Sequence, residues 1–356
     1  MNSKSRFTTW LLSNLTLIII VVPLVLLALG VSLFGGPLLE RITIVLFINL
    51  ALVLGLEVFN GNSGVLSFAQ IGFMGIGAYA SILFTMTPQI KAVALPNLYA
   101  ALANVQLPFL PALLIGAIIA ALVAAIIGFP LMRLSGAASV IATFALLVII
   151  HRVLINWDEV TNGARTIFGI ERFTTLEISA IFGITFVFLA YWFRETPLGL
   201  KLRASREDEH AAASIGINKV IARWVAFILS AAMTGVAGVL WAHFITSFSP
   251  ISFYLKQTFL IITMLIIGGI GSVSGAVVGT LAVTAIFEGM RGIENAISLS
   301  DVIPFTASGL TEVVLSVALI AILILRPAGI TGGREFHWPR KQIRSAVTPD
   351  PADQSQ

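Results

Sequence analysis

Runs of roughly 20 apolar residues, the length that crosses a bilayer core as a helix, recur along this chain from its first residues to about residue 325. Lipid offers the backbone no hydrogen-bond partners, so such runs are restricted to helices or closed barrels. Unbroken hydrophobicity, without strict alternation, selects helices. Ten are read: 10–34, 42–59, 65–86, 107–130, 137–155, 176–193, 224–246, 257–272, 273–290 and 306–325. Only 11% of residues are charged and 58% are hydrophobic, against about 25% charged in soluble domains. The fold class is therefore all-α, a polytopic membrane protein. The first run follows Lys4 and Arg6. It is longer than the ~7–15 apolar residues of a leader peptide, so it reads as a retained anchor rather than a leader cut after Ala28-Leu29-Gly30.

Basic residues favour cytoplasmic loops. With the N-terminus inside, fourteen of the 21 Lys and Arg fall on inner segments and seven on outer ones, which places both termini in the cytoplasm. The net charge of +4 thus reports topology, and no nucleic-acid partner is implied. The absence of cysteine excludes disulfides, thiolate metal sites and cysteine nucleophiles.

Ion-coupled carriers usually place ionisable groups deep in the bilayer. Here Glu57, His151, Arg152, Glu177, Lys256 and Glu288 fall near the ends of the expected helices, where they are expected to snorkel to the interface. Glu312, about two turns inside, is the exception. No paired carboxylates, HExxH or serine–histidine pair appears at catalytic spacing, so an enzyme is not expected. If the protein moves a solute, the energy comes from elsewhere.

The longest inner connection, 194–223, reads RETPLGLKLRASREDEHAAASIGINKVIAR. Ser205 and Asp208 stand three apart, as in a capping box. Glu207, Asp208 and Glu209 suit the positive end of a helix, Ala211 to Ala213 propagate it, and Gly216 is placed to end it in a left-handed cap. A helix over 205–216 is too short to stand alone. It docks either on this chain's own helix ends or in a partner's cleft.

The stretch GNSGVLSFAQIGFMGIGAYA, 61–80, carries two expectations. Gly72, Gly75 and Gly77 are spaced for close helix packing. Gly61-Asn62-Ser63-Gly64 reads as a break, either an inner turn or a mid-membrane interruption of the kind that lines transport pathways. Asn62, Ser67 and Gln70 need partners or water; with Phe73 they are candidates for the substrate pathway or for contacts between helices. The spacing of Gly61, Gly64 and Gly72 recurs at Gly268, Gly271 and Gly279, a faint sign of an internal repeat.

REDEHAAASIGIN, 206–218, resembles the coupling-loop motif of binding-protein-dependent ABC importers. Together with TPLGLKLRASREDE, VLWAHFITSFSP, IIGGIGSVSGAVVGT, LRPAGITGG and the 61–80 block, it makes residues 40–333 similar to the LivM-type permeases of branched-chain amino acid importers. The resemblance implies a bacterial inner-membrane protein paired with a second, related permease subunit. Two cytoplasmic ATPase subunits would receive Glu207, Asp208, Glu209, Ala211, Ala212 and Gly216, and an extracytoplasmic solute-binding protein would deliver the substrate. ATP would sit on the partners and no cofactor on this chain. The permease domain would span 1–333, with 334–356 a disordered polar tail. Two departures bear on the substrate. Val148-Ile149-Ile150-His151-Arg152 lacks the acid of the family's Gly-Glu-Ile-x-Arg, and Thr161-Asn162-Gly163-Ala164-Arg165 replaces its Thr-Gly-Gly. They leave a urea or amide permease as the alternative within the class; separately, an ion-coupled secondary carrier is the alternative outside it.

Overall fold

The computed structural model describes residues 15–299, 309–326 and 328–335. Its principal helices are α1 Leu15–Phe34, α2 Pro37–Ser63, α3 Gln70–Thr85, α4 Phe109–Leu131, α5 Ala137–Asn156 and α6 Leu176–Glu195. They continue with α7 Pro197–Glu207, α8 Glu209–Ser214, α9 Lys219–Ile245, α10 Leu255–Gly268, α11 Val273–Leu299 and α12 Leu310–Leu325. Among the described residues, eight helices are long and apolar enough to cross a membrane, and α3 and the 313–322 part of α12 are shorter apolar helices. Within the described residues the apolar runs are largely helical, the main exceptions being 65–69 and 269–272, and the architecture is all-α.

Local chemistry sets the helix ends. Pro37 opens α2 with its φ already helical. Thr175 accepts from the Ile178 amide to start α6, and the Asn218 side chain accepts from the amides of Val220 and Ile221 to start α9. Gly64 closes α2 at φ +70°, its amide bonded to the Asn60 carbonyl. The helix thus continues through Gly61-Asn62-Ser63, where the sequence suggested a break. The interruption lies one step later, at residues 64–69, and α3 begins at Gln70.

The centre is built on α2 and α9. Every residue of α2 from Leu46 to Ser63 is buried, as a helix surrounded by others must be. α9 packs on α2, α3 and α4. A Cβ on Gly77 would strike the Gly235 backbone, and one on Gly238 the Met74 carbonyl oxygen. Backbones therefore meet directly at Gly77 on this seam, while Gly72 and Gly75 pack closely against the side chains of Ile150 and of Leu154 and Phe253. At the periphery, α1 turns Leu26, Leu29, Leu33 and Phe34 outward, a surface suited to lipid. α10 and α11 pair as a hairpin across 269–272 and lean on α2.

Candidate functional site

The 194–223 connection folds as two helices rather than one. Pro197 and the Thr196 hydroxyl, which accepts from the Gly199 amide, start α7 well before Ser205. Ser205, expected as an N-cap, is instead buried in the last turn of α7 and donates to the Leu202 carbonyl at 2.7 Å. Asp208 is the joint. It is extended, its amide closes α7 on Ala204, and its Oδ1 accepts from the amides of His210 at 2.8 Å and Ala211 at 3.0 Å to open α8. Those backbone bonds hold its carboxyl below the ordinary value. Gly216, at φ +80°, ends the element as expected. Its amide bonds to Ala213 and that of Ile217 to Ala212, the paired pattern of a Schellman cap.

α8 is fastened to its own chain. Glu209 pairs with Lys219 and, at 2.6 Å, with Arg223 in the first turns of α9. The Lys219 contact and Arg223 hold the Glu209 carboxyl below its usual range. Ala212, expected to meet a partner, is only 4% exposed and faces inward. The outward side carries Glu207, Asp208, His210, Ala211, Ser214 and Gly216, with Ile215 76% exposed. Docking on the chain's own helix ends is thus realised, and one face remains open.

Arg206 connects this element to the core. Its Nη1 donates to the Gly61 carbonyl at 2.6 Å. Its side chain lies over Gly64 and Gly271, where any Cβ would meet it. Gly271 takes φ +96° in the 269–272 turn, so the two helix breaks meet at one guanidinium. Glu57, expected to snorkel, does not. Because α2 runs on to Ser63, its carboxylate is nearly two turns inside; it is 3% exposed and accepts from the Gly271 amide at 3.4 Å. The chain after α12 covers the second break. Ile330 and Thr331 donate to the Ile267 and Gly268 carbonyls. Glu335 accepts from the amides of Val273 at 2.7 Å and Ser274 at 3.0 Å and pairs with Arg194. Sequence reasoning passed over Arg206 and Glu335. The signal for Glu335 was a lone acid just beyond the glycine-rich LRPAGITGG.

The four candidate pathway residues are all buried. Asn62 Nδ2 donates to the Val58 carbonyl at 3.0 Å within its own helix. Ser67, at the break, has its amide on Asn60 Oδ1. Gln70 Nε2 reaches Ser230 Oγ at 3.3 Å while its Oε1 has no partner. Phe73 sits edge-on to Phe227, with ring centres 5.4 Å apart. Only Ser67 and Gln70 share a void, of about 10 Å³, too small for more than a single water. These residues are packed between helices in this conformation. His151 does not snorkel either; it stacks on Tyr254 at 4.0 Å. Arg152, Glu177 and Lys256 are exposed, and the Glu312 side chain lies outside the described residues.

The helices and the paired helix breaks define a multi-pass, helical membrane protein with an ordered loop element on one side. The chain belongs to the family described as branched-chain amino acid transport system / permease component, whose model matches residues 38–323. It is 29% identical over 278 residues to the high-affinity branched-chain amino acid transport system permease protein LivM of Escherichia coli K12, covering 68% of this chain and 61% of that relative. It is 31% identical over 185 residues to LivH of Salmonella typhimurium LT2, covering 49% of this chain and 54% of LivH. A nucleoside ABC transporter permease protein, NupC of Lactococcus lactis, is 24% identical over 75% of this chain and 86% of its own length. No solved structure matches.

Proposed function

We propose that this chain is a permease subunit of an ATP-driven, binding-protein-dependent importer of branched-chain or other neutral amino acids in a bacterial inner membrane. The observation that carries the reading is the α7–α8 element. It is ordered, held by Glu209 and Arg206, and leaves Ile215 and Ala211 uncovered. In this reading Ile215, 76% exposed just beyond the end of α8, is where a partner makes contact. An ATPase subunit receives it, with Glu207 and Asp208 at its edge, while Glu209, Ala212 and Gly216 keep its shape. Displacement passes through Arg206 to both helix breaks, and ATP acts by favouring one conformation over the other. The pathway opens beside Ser67 and Gln70, which share a void, with Asn62 and Phe73 flanking them along the chain. A related permease completes the pore, a solute-binding protein delivers substrate, and ATP is hydrolysed on the ATPases rather than here. The permease domain is proposed to span 1–333, to which Glu335 is also bonded at the start of α11; of the tail 334–356, residues 336–356 lie outside the described residues.

The test separates energy sources. Cells dependent on this chain for leucine uptake are depleted of ATP while the membrane potential is held, and uptake is expected to stop. Uptake that instead follows an imposed sodium or proton gradient removes the ATP-driven reading. A second reading concerns the substrate alone: the match across most of the nucleoside permease supports a nucleoside as cargo, and uridine competition against leucine uptake decides between them.

A further inference from the structure

At the end of the bundle opposite Arg206, α2, α9, α10 and α11 enclose a cavity of about 430 Å³, within the roughly 300–1,000 Å³ range of small-molecule sites. α2 and α11 run antiparallel there. Arg41 and Arg291 both line the cavity, while the start of α11 reaches Glu57 far along α2. At 1.5 Å per residue, Asn49 and Thr284 lie roughly 11 Å deeper than Arg41 and Arg291. The cavity thus has a charged mouth of Arg41, Glu288 and Arg291 and a polar floor of Asn49 and Thr284.

Three observations mark it as a site. Both floor residues are 6% exposed, and Thr284 Oγ1 has no hydrogen-bond partner, a cost that a ligand would relieve. Among the described residues, Arg41, Glu288 and Arg291 enter no ion pair; the two arginines are exposed at the mouth and Glu288 is half-buried, so both signs of charge are free to meet a ligand there. Trp241, Leu260 and Met264 supply an apolar wall beside them. A larger cavity of about 560 Å³, beside Ile119, Val123, Ile149 and Val153, lacks any charged lining and suits an acyl chain.

We infer that this cavity is a binding site for a zwitterionic α-amino acid with an apolar side chain. Arg41 and Arg291 hold the carboxylate, Glu288 the ammonium group, and the Trp241–Met264 wall the side chain. Guanidinium groups match a carboxylate through paired hydrogen bonds. An uncharged nucleoside would leave both signs unpaired. The inference rests on the amino-acid reading above and gives a role to Glu288, which the sequence had left at a helix end.

The test uses the natural lack of cysteine. Val45→Cys, on the cavity wall, is made in the full chain in native membrane vesicles and labelled with a cationic methanethiosulfonate; Ile42→Cys serves where the first variant does not accumulate. Millimolar leucine should slow labelling at least fivefold. Isoamylamine and 4-methylpentanoate, each lacking one charge, and uridine should not. Adding Glu288→Gln should abolish the preference for leucine over 4-methylpentanoate. Labelling indifferent to leucine, or slowed equally by 4-methylpentanoate in the parent, overturns the site. If leucine uptake still depends on this chain, the importer reading survives that failure. Protection by uridine alone overturns both.

Discussion

Gly238 lies where α9 meets α3, and a Cβ there would overlap the Met74 carbonyl oxygen. Backbone cannot yield as a flexible side chain can, so Gly238→Ala should cost about 1–3 kcal/mol, read as a lower apparent melting temperature in detergent. Gly289, on exposed helix with nothing near its Cβ position, is the control. Gly289→Ala should leave stability unchanged or raise it by about 0.5–1 kcal/mol. This seam was legible, because small residues at helical spacing have few other uses in lipid. Glu57 was not: its depth depends on where α2 ends, and Gly61 and Asn62 look like a stop although the helix passes through them. Glycine at 61 has another effect, since a Cβ there would meet the Glu57 carboxylate and the end of that side chain would have to shift.

For the element α7–α8, the left-handed cap at Gly216 could be read from the chain, and the break at Asp208 could not. A Ser-x-x-Asp pattern fits the start of a helix at 205, but Pro197 starts one sooner, and Asp208 then gains more by capping the next. The inward turn of Ala212 follows from that shift and alters what a substitution does. Ala212→Arg should disorder the element by forcing a charge into packed space. Ile215→Glu should leave it folded and lose the ATPases in a pull-down. Hydrogen exchange on both variants separates the two outcomes. The carboxyls of Asp208 and Glu209 are both depressed on folding. Their contribution is full above the ordinary values of 3.8 and 4.5 and is lost as pH falls through the lower folded values. Exchange in 205–217 should therefore be constant from pH 7 to 5 and accelerate, after correction for intrinsic rates, only in stronger acid.

Across the whole molecule, Glu335 joins parts far apart in sequence: the end of α6 through Arg194, the start of α11, and the chain that follows α12. Its side chain is 4% exposed and that of Arg194 13%. Removing one member of so buried a pair strands the other, so Glu335→Gln should cost about 3 kcal/mol. Glu195→Gln, at a carboxylate 54% exposed, should cost less than about 1 kcal/mol. Paired melting curves check both. Another long-range contact has a consequence for how this chain tolerates mutation. Arg206 grips the main chain of Gly61, and every amino acid brings a carbonyl to that position. Replacing residue 61 disturbs Glu57 yet leaves the acceptor in place, whereas replacing Arg206 deletes the bond. The link between loop and core is thus robust to genetic change on one side and dependent on a single codon on the other.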